Sequence, residues 1–132
     1  MELLMQRDMS LVRELLLRVE AIDIPPGAKL LINGWDEAVQ VADHSPEDID
    51  RHLRLLVDGE FLTGKAAMDG VITAGLSWEG CEFLDSIRSP EAWRRTKEAA
   101  AKIGGVSLAI FAEIAKASAK AAIKAKLGLD LG

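Results

Sequence analysis

The chain has 132 residues, enough for one domain with its own core and too few for two ordinary ones. Hydrophobic residues make up 49%, yet no apolar run approaches the roughly 20 residues that span a bilayer. The acidic start MELLMQRD also lacks the basic region of a signal peptide, so the expectation is a soluble, cytoplasmic protein with no membrane contact. The net charge of -5 hides an asymmetry: residues 1–90 hold 8 Lys and Arg against 17 Asp and Glu, whereas residues 91–127 hold 8 against 3. An acidic front and a basic back are able to attract each other.

Residues 8–22, DMSLVRELLLRVEAI, set Met9, Val12, Leu16 and Val19 at helical spacing, with Leu11, Leu15 and Ile22 widening the stripe. This predicts a core helix with Asp8 as its N-cap. Leu17 falls on the polar side. Pro25-Pro26-Gly27 then removes amide donors and turns the chain. The runs AKLLIN and AVQVAD, separated by Asn33-Gly34 and the acids Asp36 and Glu37, read as a first hairpin, with Trp35 folding back over its sheet or, alternatively, serving as an exposed contact.

Ser45-Pro46-Glu47-Asp48 is a strong helix start, because a serine cap, a proline in the first turn and early acids all suit the exposed amides and the dipole of a helix N-terminus. Ile49, Leu53 and Leu56 give this helix a buried stripe, and Gly59 is expected to end it as a left-handed residue. FLTGK and VITAGLS around Asp69-Gly70 read as a second hairpin. Ser77 caps a further helix, WEGCEFLDSIR, in which Gly80 allows close backbone approach, Phe83, Leu84 and Ile87 face inward, and Cys81 is a small core or boundary residue. Ser89-Pro90-Glu91 repeats the start signal for a helix that carries Trp93 as an anchor against WEGCEFL and breaks at Gly104-Gly105. The last helix, about 107–127, buries Leu108, Phe111, Ile114, Ala115 and Ala122 and sets Glu113, Lys116, Lys120 and Lys124 along the opposite edge.

This order of elements predicts an α+β chain, a single domain over 1–132. Within it, 1–88 is a winged-helix-like core of N-terminal helix, short strands, central helix and β-hairpin wing, and 89–132 is a C-terminal helical extension. RDMSLVRELLLRVE, SPEDIDRHLRLLVDGEFL and LSWEGCEFLDSIRSPEAWRRTK resemble the bacterial and phage-associated family called domain of unknown function 2513. The ending GGVSLAIFAEIAKASAKAAIKAKLGL is also similar to that family's. The resemblance implies the fold and a phage or mobile-element setting, and transfers no catalytic residue. One departure from common winged helices stands out: no second amphipathic helix of normal length fits between the first helix and Ser45.

Catalytic chemistry has little support. His44, His52 and Cys81 lack the spacing of a metal site, nucleophile-elbow and phosphate-loop motifs are missing, and His52 reads as a packed boundary residue. No enzyme activity, metal or small-molecule cofactor is expected. Nucleic-acid binding needs a positive surface. The outward side of the Ser45 helix shows Glu47, Asp50, Arg51, Arg54, Leu55 and Asp58, two positive charges against three negative. The candidate contacts to double-stranded DNA are Arg51, Arg54 and Lys65 of helix and wing, the Arg94 and Arg95 cluster, and the row Lys116, Lys120 and Lys124. Surface ion pairs and a solvated helix face explain the same residues without DNA. The leading expectation is a small regulatory protein with DNA binding as a candidate activity. The alternative is a protein-interaction or adaptor module using the same fold, and either accommodates a homodimer or a protein partner.

Overall fold

The computed structural model describes residues 8–128. Among these are five α-helices and one three-stranded antiparallel sheet. The chain divides into two compact units, Met1–Cys81 and Glu82–Gly132, so the division falls inside a helix, α3 (Trp78–Ile87).

The first unit opens with α1 (Met9–Glu20), capped as expected by the Asp8 carboxylate, which accepts from the amides of Ser10 and Leu11. Leu11, Val12, Leu15, Leu16 and Val19 are buried, whereas Met9, Leu17 and Ile22 are half-buried at the edge of the stripe. Strand β1 (Leu30–Ile32) follows the proline turn.

The second run of the expected first hairpin is not a strand. Residues Glu37–Val39 form a short 3-10 helix, and β1 pairs instead with β3 (Gly70–Thr73). Side chains dictate this. Asn33 Oδ1 accepts from the Trp35 amide, Asp36 Oδ2 accepts from the Asn33 amide, and the Gln40 side-chain amide donates to the carbonyls of Gly34 and Asp36. These local bonds fold residues 33–40 into a compact turn in place of a hairpin loop. Trp35 is left 60% exposed, which corrects the expectation that it folds over the sheet.

Helix α2 (Pro46–Asp58) starts at Ser45, whose Oγ accepts from the Asp48 amide, and buries Ile49, Leu53 and Leu56 as its spacing predicts. Its end differs from the expectation. Gly59 is right-handed at φ -82°, and Glu60 takes the left-handed position at φ +66°. The Phe61 amide donates to Leu56 O and the Glu60 amide to Val57 O, the two bonds of a Schellman cap with Glu60 as its C′ residue. A side chain at 59 would press on the Phe61 ring, so glycine serves packing there and not conformation. Glu60→Gly removes the left-handed penalty and is expected to stabilise the protein by about 1 kcal/mol, measured as a raised urea midpoint at unchanged slope.

The second hairpin forms, shifted by a few residues. Strand β2 (Lys65–Ala67) pairs with β3, the turn is Met68-Asp69, and the sheet order is β1-β3-β2. Phe61-Leu62-Thr63 contributes a single bridge, Leu62 to Leu76, because Gly64 at φ +107° lies against the Ile72 carbonyl and interrupts the strand. Thr73, Val71 and Ile32 line the buried face of the sheet, and Leu31, Ile72 and Lys65 share the other face. Ser77 caps α3, accepting from the Gly80 amide and donating to Glu60 O. Gly80 touches the Phe61 carbonyl so closely that no Cβ fits, as its place in the helix suggested. Cys81 is exposed, against the expectation of a core or boundary site.

The second unit holds the end of α3 with α4 (Pro90–Ile103) and α5 (Leu108–Leu127). Ser89 and Ser107 are the caps, and Gly104 at φ +76° ends α4. The core is aromatic: Trp93 packs on Phe111 at 5.6 Å between ring centres, and Phe111 meets Phe83 edge-on at 6.2 Å. Trp93 thus anchors α4 on α5, with Phe111 as the link to α3.

Candidate functional site

Helix α2 carries the first candidates because its N-terminal half gathers polar side chains on one side while its stripe enters the core. Asp48 is the hub. Its carboxylate accepts from Arg51 Nη1 at 2.6 Å and lies 3.3 Å from His44 Nδ1, and its carbonyl lies 2.9 Å from His52 Nδ1. His52 is fully buried, and its Nε2 accepts from the Asp8 amide at 2.9 Å. An Nε2 that accepts carries no proton, so Nδ1 carries it and donates to Asp48 O: the ring is a neutral bridge between the starts of α1 and α2. Both nitrogens being engaged inside the core, His52 presents nothing to a substrate. It is buried more deeply than the boundary position its sequence suggests.

Arg54 closes the other side of α2. Nε donates to Asp50 Oδ2 at 2.9 Å, Nη1 to Ala67 O at 2.9 Å and Nη2 to Met68 O at 3.2 Å. Asp50 in turn accepts from the Gly34 amide at 3.0 Å, and a Cβ on Gly34 would collide with the start of α2. One arginine–aspartate pair therefore ties the tip of the β2–β3 hairpin, the Asn33–Asp36 turn and α2 together. All three guanidinium nitrogens hold acceptors of the protein itself, which engages three of the five N–H donors. The same unit exposes several large apolar residues, among them Leu31 at 52%, Trp35 at 60%, Met68 at 95% and Trp78 at 79%.

Lys65 is exposed on β2, beside a hollow of about 490 Å³ that also includes Asp58, Glu60, Thr63 and Ser77. Arg51, Arg54 and Lys65 thus share the first unit. The other five candidates lie in the second: Arg94 pairs with Glu98 at 2.9 Å, Arg95 with Glu91 at 3.4 Å and Lys116 with Glu113 at 3.0 Å, while Lys120 and Lys124 continue the row along α5. Lys97 sits over the Trp93 ring at 5.3 Å. Exposed pairs of this kind contribute at most about 1 kcal/mol each and exchange readily. Among the described residues, no group of three or more His, Cys, Asp and Glu is arranged to hold a metal ion, and no helix is long and apolar enough to cross a membrane.

Two features escaped the sequence reading. The His52 bridge joins residues 44 positions apart and has no local signal. The Arg54 strap was half visible, since Asp50 and Arg54 stand four apart on one helix, but its reach to Ala67 and Met68 required the hairpin's position.

A family model described as "Hypothetical protein (DUF2513)" matches residues 6–107. The chain belongs to the DUF2513 family. The matched span takes in α1 through α4, with the Arg54 strap and the His52 bridge, and stops at residue 107, so α5 lies beyond it. No curated protein and no solved structure matches the chain.

Proposed function

We propose that this DUF2513 protein is a non-enzymatic protein-interaction module built on a winged-helix-type frame, in which α2 is a structural helix and does not read DNA. The order α1, β1, short helical turn, α2, β2, β3 with strands in the order β1-β3-β2 supports the frame. The middle helix of the usual trio is reduced to Glu37–Val39. The observation that carries the functional reading is Arg54, whose three nitrogens all hold the protein's own Asp50 and hairpin tip. Arg51 is tied to Asp48, and Glu47 and Asp58 stand exposed on the same helix, which repels a phosphate backbone. Exposed Leu31, Trp35 and Met68 on an acidic unit offer anchors of the kind that protein interfaces bury.

Affinity capture from the source cell, with wild type and with a Trp35→Ser, Met68→Ser double variant, tests this reading. The expectation is a bound protein that survives nuclease treatment and is lost with the double variant. Bound material that disappears on nuclease treatment and is kept by the double variant contradicts it. A regulator that touches DNA through the second unit is the other reading, favoured by the 8 Lys and Arg against 3 Glu over residues 91–127.

A further inference from the structure

Trp35 and Met68 are presented at one end of the sheet. Val71 pairs with Ile32 on one side and with Ala66 on the other, so the turn after β1 and the turn between β2 and β3 lie at the same end. Their closeness is direct: a Cβ on Gly70 would meet Ile32 O and the Asn33 side chain. The Asp50–Arg54 pair spans both turns, from the Gly34 amide to Met68 O.

The backbone here is fixed with more bonds than the two side chains receive. Asn33, Asp36, Gln40 and Asp50 all use their side chains to hold the turn that carries Trp35, yet the indole itself is 60% exposed. Met68, 95% exposed, stands in a turn where Gly, Asn, Asp or Ser is usual. A rigid backbone that shows an indole and a thioether to solvent suits recognition, because little ordering remains to be lost on binding.

The charge of this end is negative. Asp36, Glu37 and Asp69 belong to the two turns and the short helix that follows the first, and Glu47 and Asp50 to the part of α2 that Gly34 touches. Against these five stand Arg54, whose three nitrogens are engaged, and Lys65, set back along β2 opposite Ile72. Arg51 and Asp48 neutralise each other. Glu37, Glu47 and Asp69 are exposed and have no ion-pair partner among the described residues.

We propose that this end of the first unit docks a basic, amphipathic segment of a partner protein. An apolar side chain of the segment seats against Trp35 and Met68, and a neighbouring arginine or lysine lies on the indole face or pairs with Glu37 and Asp69. The inference rests on the reading that Trp35 and Met68 anchor a protein partner, and adds the partner's charge. An acidic segment is excluded by the same carboxylates, since like charges brought together in an interface cost several kcal/mol.

Selection from a random peptide library displayed on yeast, with the full chain as target, tests the inference, and titration over a salt series then measures a selected peptide. Selected sequences are expected to set lysine or arginine beside an apolar residue, and their affinity to fall as salt rises. Trp35→Ser with Met68→Ser should weaken binding by at least about tenfold. Glu37→Lys with Asp69→Lys should weaken it as much, and a fresh selection on that variant should turn to acidic sequences, an inversion that a damaged fold does not give. Far-UV circular dichroism checks that both variants keep their helix content. Acidic or uncharged peptides that are lost with Trp35→Ser, Met68→Ser overturn the inference and leave the protein-interaction reading standing. Peptides indifferent to both variants, or no binder at all, overturn it too, and the protein-interaction reading falls with it only if the cellular partner is also kept by Trp35→Ser, Met68→Ser. A wild type that self-associates through this end, and stops doing so with Glu37→Lys and Asp69→Lys, overturns it in favour of a second copy of the chain.

Discussion

Trp93→Ala is expected to cost about 3–5 kcal/mol of stability, the range for truncating a buried indole. Three observations on α4 and α5 put the residue at the centre of the second unit. The ring is buried, it packs on Phe111 at 5.6 Å, and Lys97 covers it at 5.3 Å. Phe111 is itself shared with Phe83, so removing Trp93 opens a hole beside the ring that connects all three helices. Chemical denaturation measured by circular dichroism reads the loss directly. A change within experimental error would mean that the indole contributes no packing and that Phe111 alone holds the helices.

His52→Ala is expected to cost about 3–4 kcal/mol, although histidine is not usually counted as a core residue. The ring is fully buried and fills space between α1 and α2, so its removal leaves a cavity. The half-buried Asp8 amide also loses the acceptor it has in Nε2, which adds about 1 kcal/mol, the low end of the cost of an unmet donor. His52→Leu separates the two effects, since leucine restores most of the volume and none of the hydrogen bonding. It should recover part of the loss. Leucine as stable as wild type would show that the bridge from Asp8 to Asp48 contributes only volume.

The parts of the fold that were legible in the sequence are those written in adjacent residues. Asp8, Ser45, Ser77 and Ser89 cap helices as predicted, because a cap depends on a side chain and amides two or three positions ahead. The stripe of Ile49, Leu53 and Leu56 is buried for a similarly local reason, its spacing. The misreadings depend on distant partners. The run at residues 38–43 alternates well enough for a strand, but Asp36, Asn33 and Gln40 fix the backbone before a ladder forms. Gly59 stands where a left-handed residue is expected, and the Phe61 ring packing against it leaves that conformation to Glu60. Trp93 finds Phe111 across 18 positions of sequence, and neither residue announces the other.

The candidate site divides in the same way. Eight basic residues were identifiable by type and spacing, but which of them are engaged by the protein's own acceptors is a matter of tertiary geometry. Arg54 carries the same charge in either role, and only the position of the hairpin tip distinguishes a strap from a reader. Lys116, Lys120 and Lys124 lie on α5, in the basic part of the chain, and reach no further into its core than their spacing suggests.

DNA affinity across a salt series, for wild type, Arg54→Glu and Lys116→Glu with Lys120→Glu, tests the structural role of α2 most directly. Phosphate contacts reveal themselves by a steep fall of affinity with salt, and each lost contact lowers that slope by about one. Arg54→Glu places a second carboxylate beside Asp50 and frees the hairpin tip, so circular dichroism must first show that the variant is folded at the working temperature. The account predicts that folded Arg54→Glu keeps the wild-type affinity and slope at every salt concentration, and that any DNA binding present falls only with the lysine pair. Loss of the salt-dependent binding in Arg54→Glu alone, with the lysine variant unaffected, would contradict it and make α2 the reader.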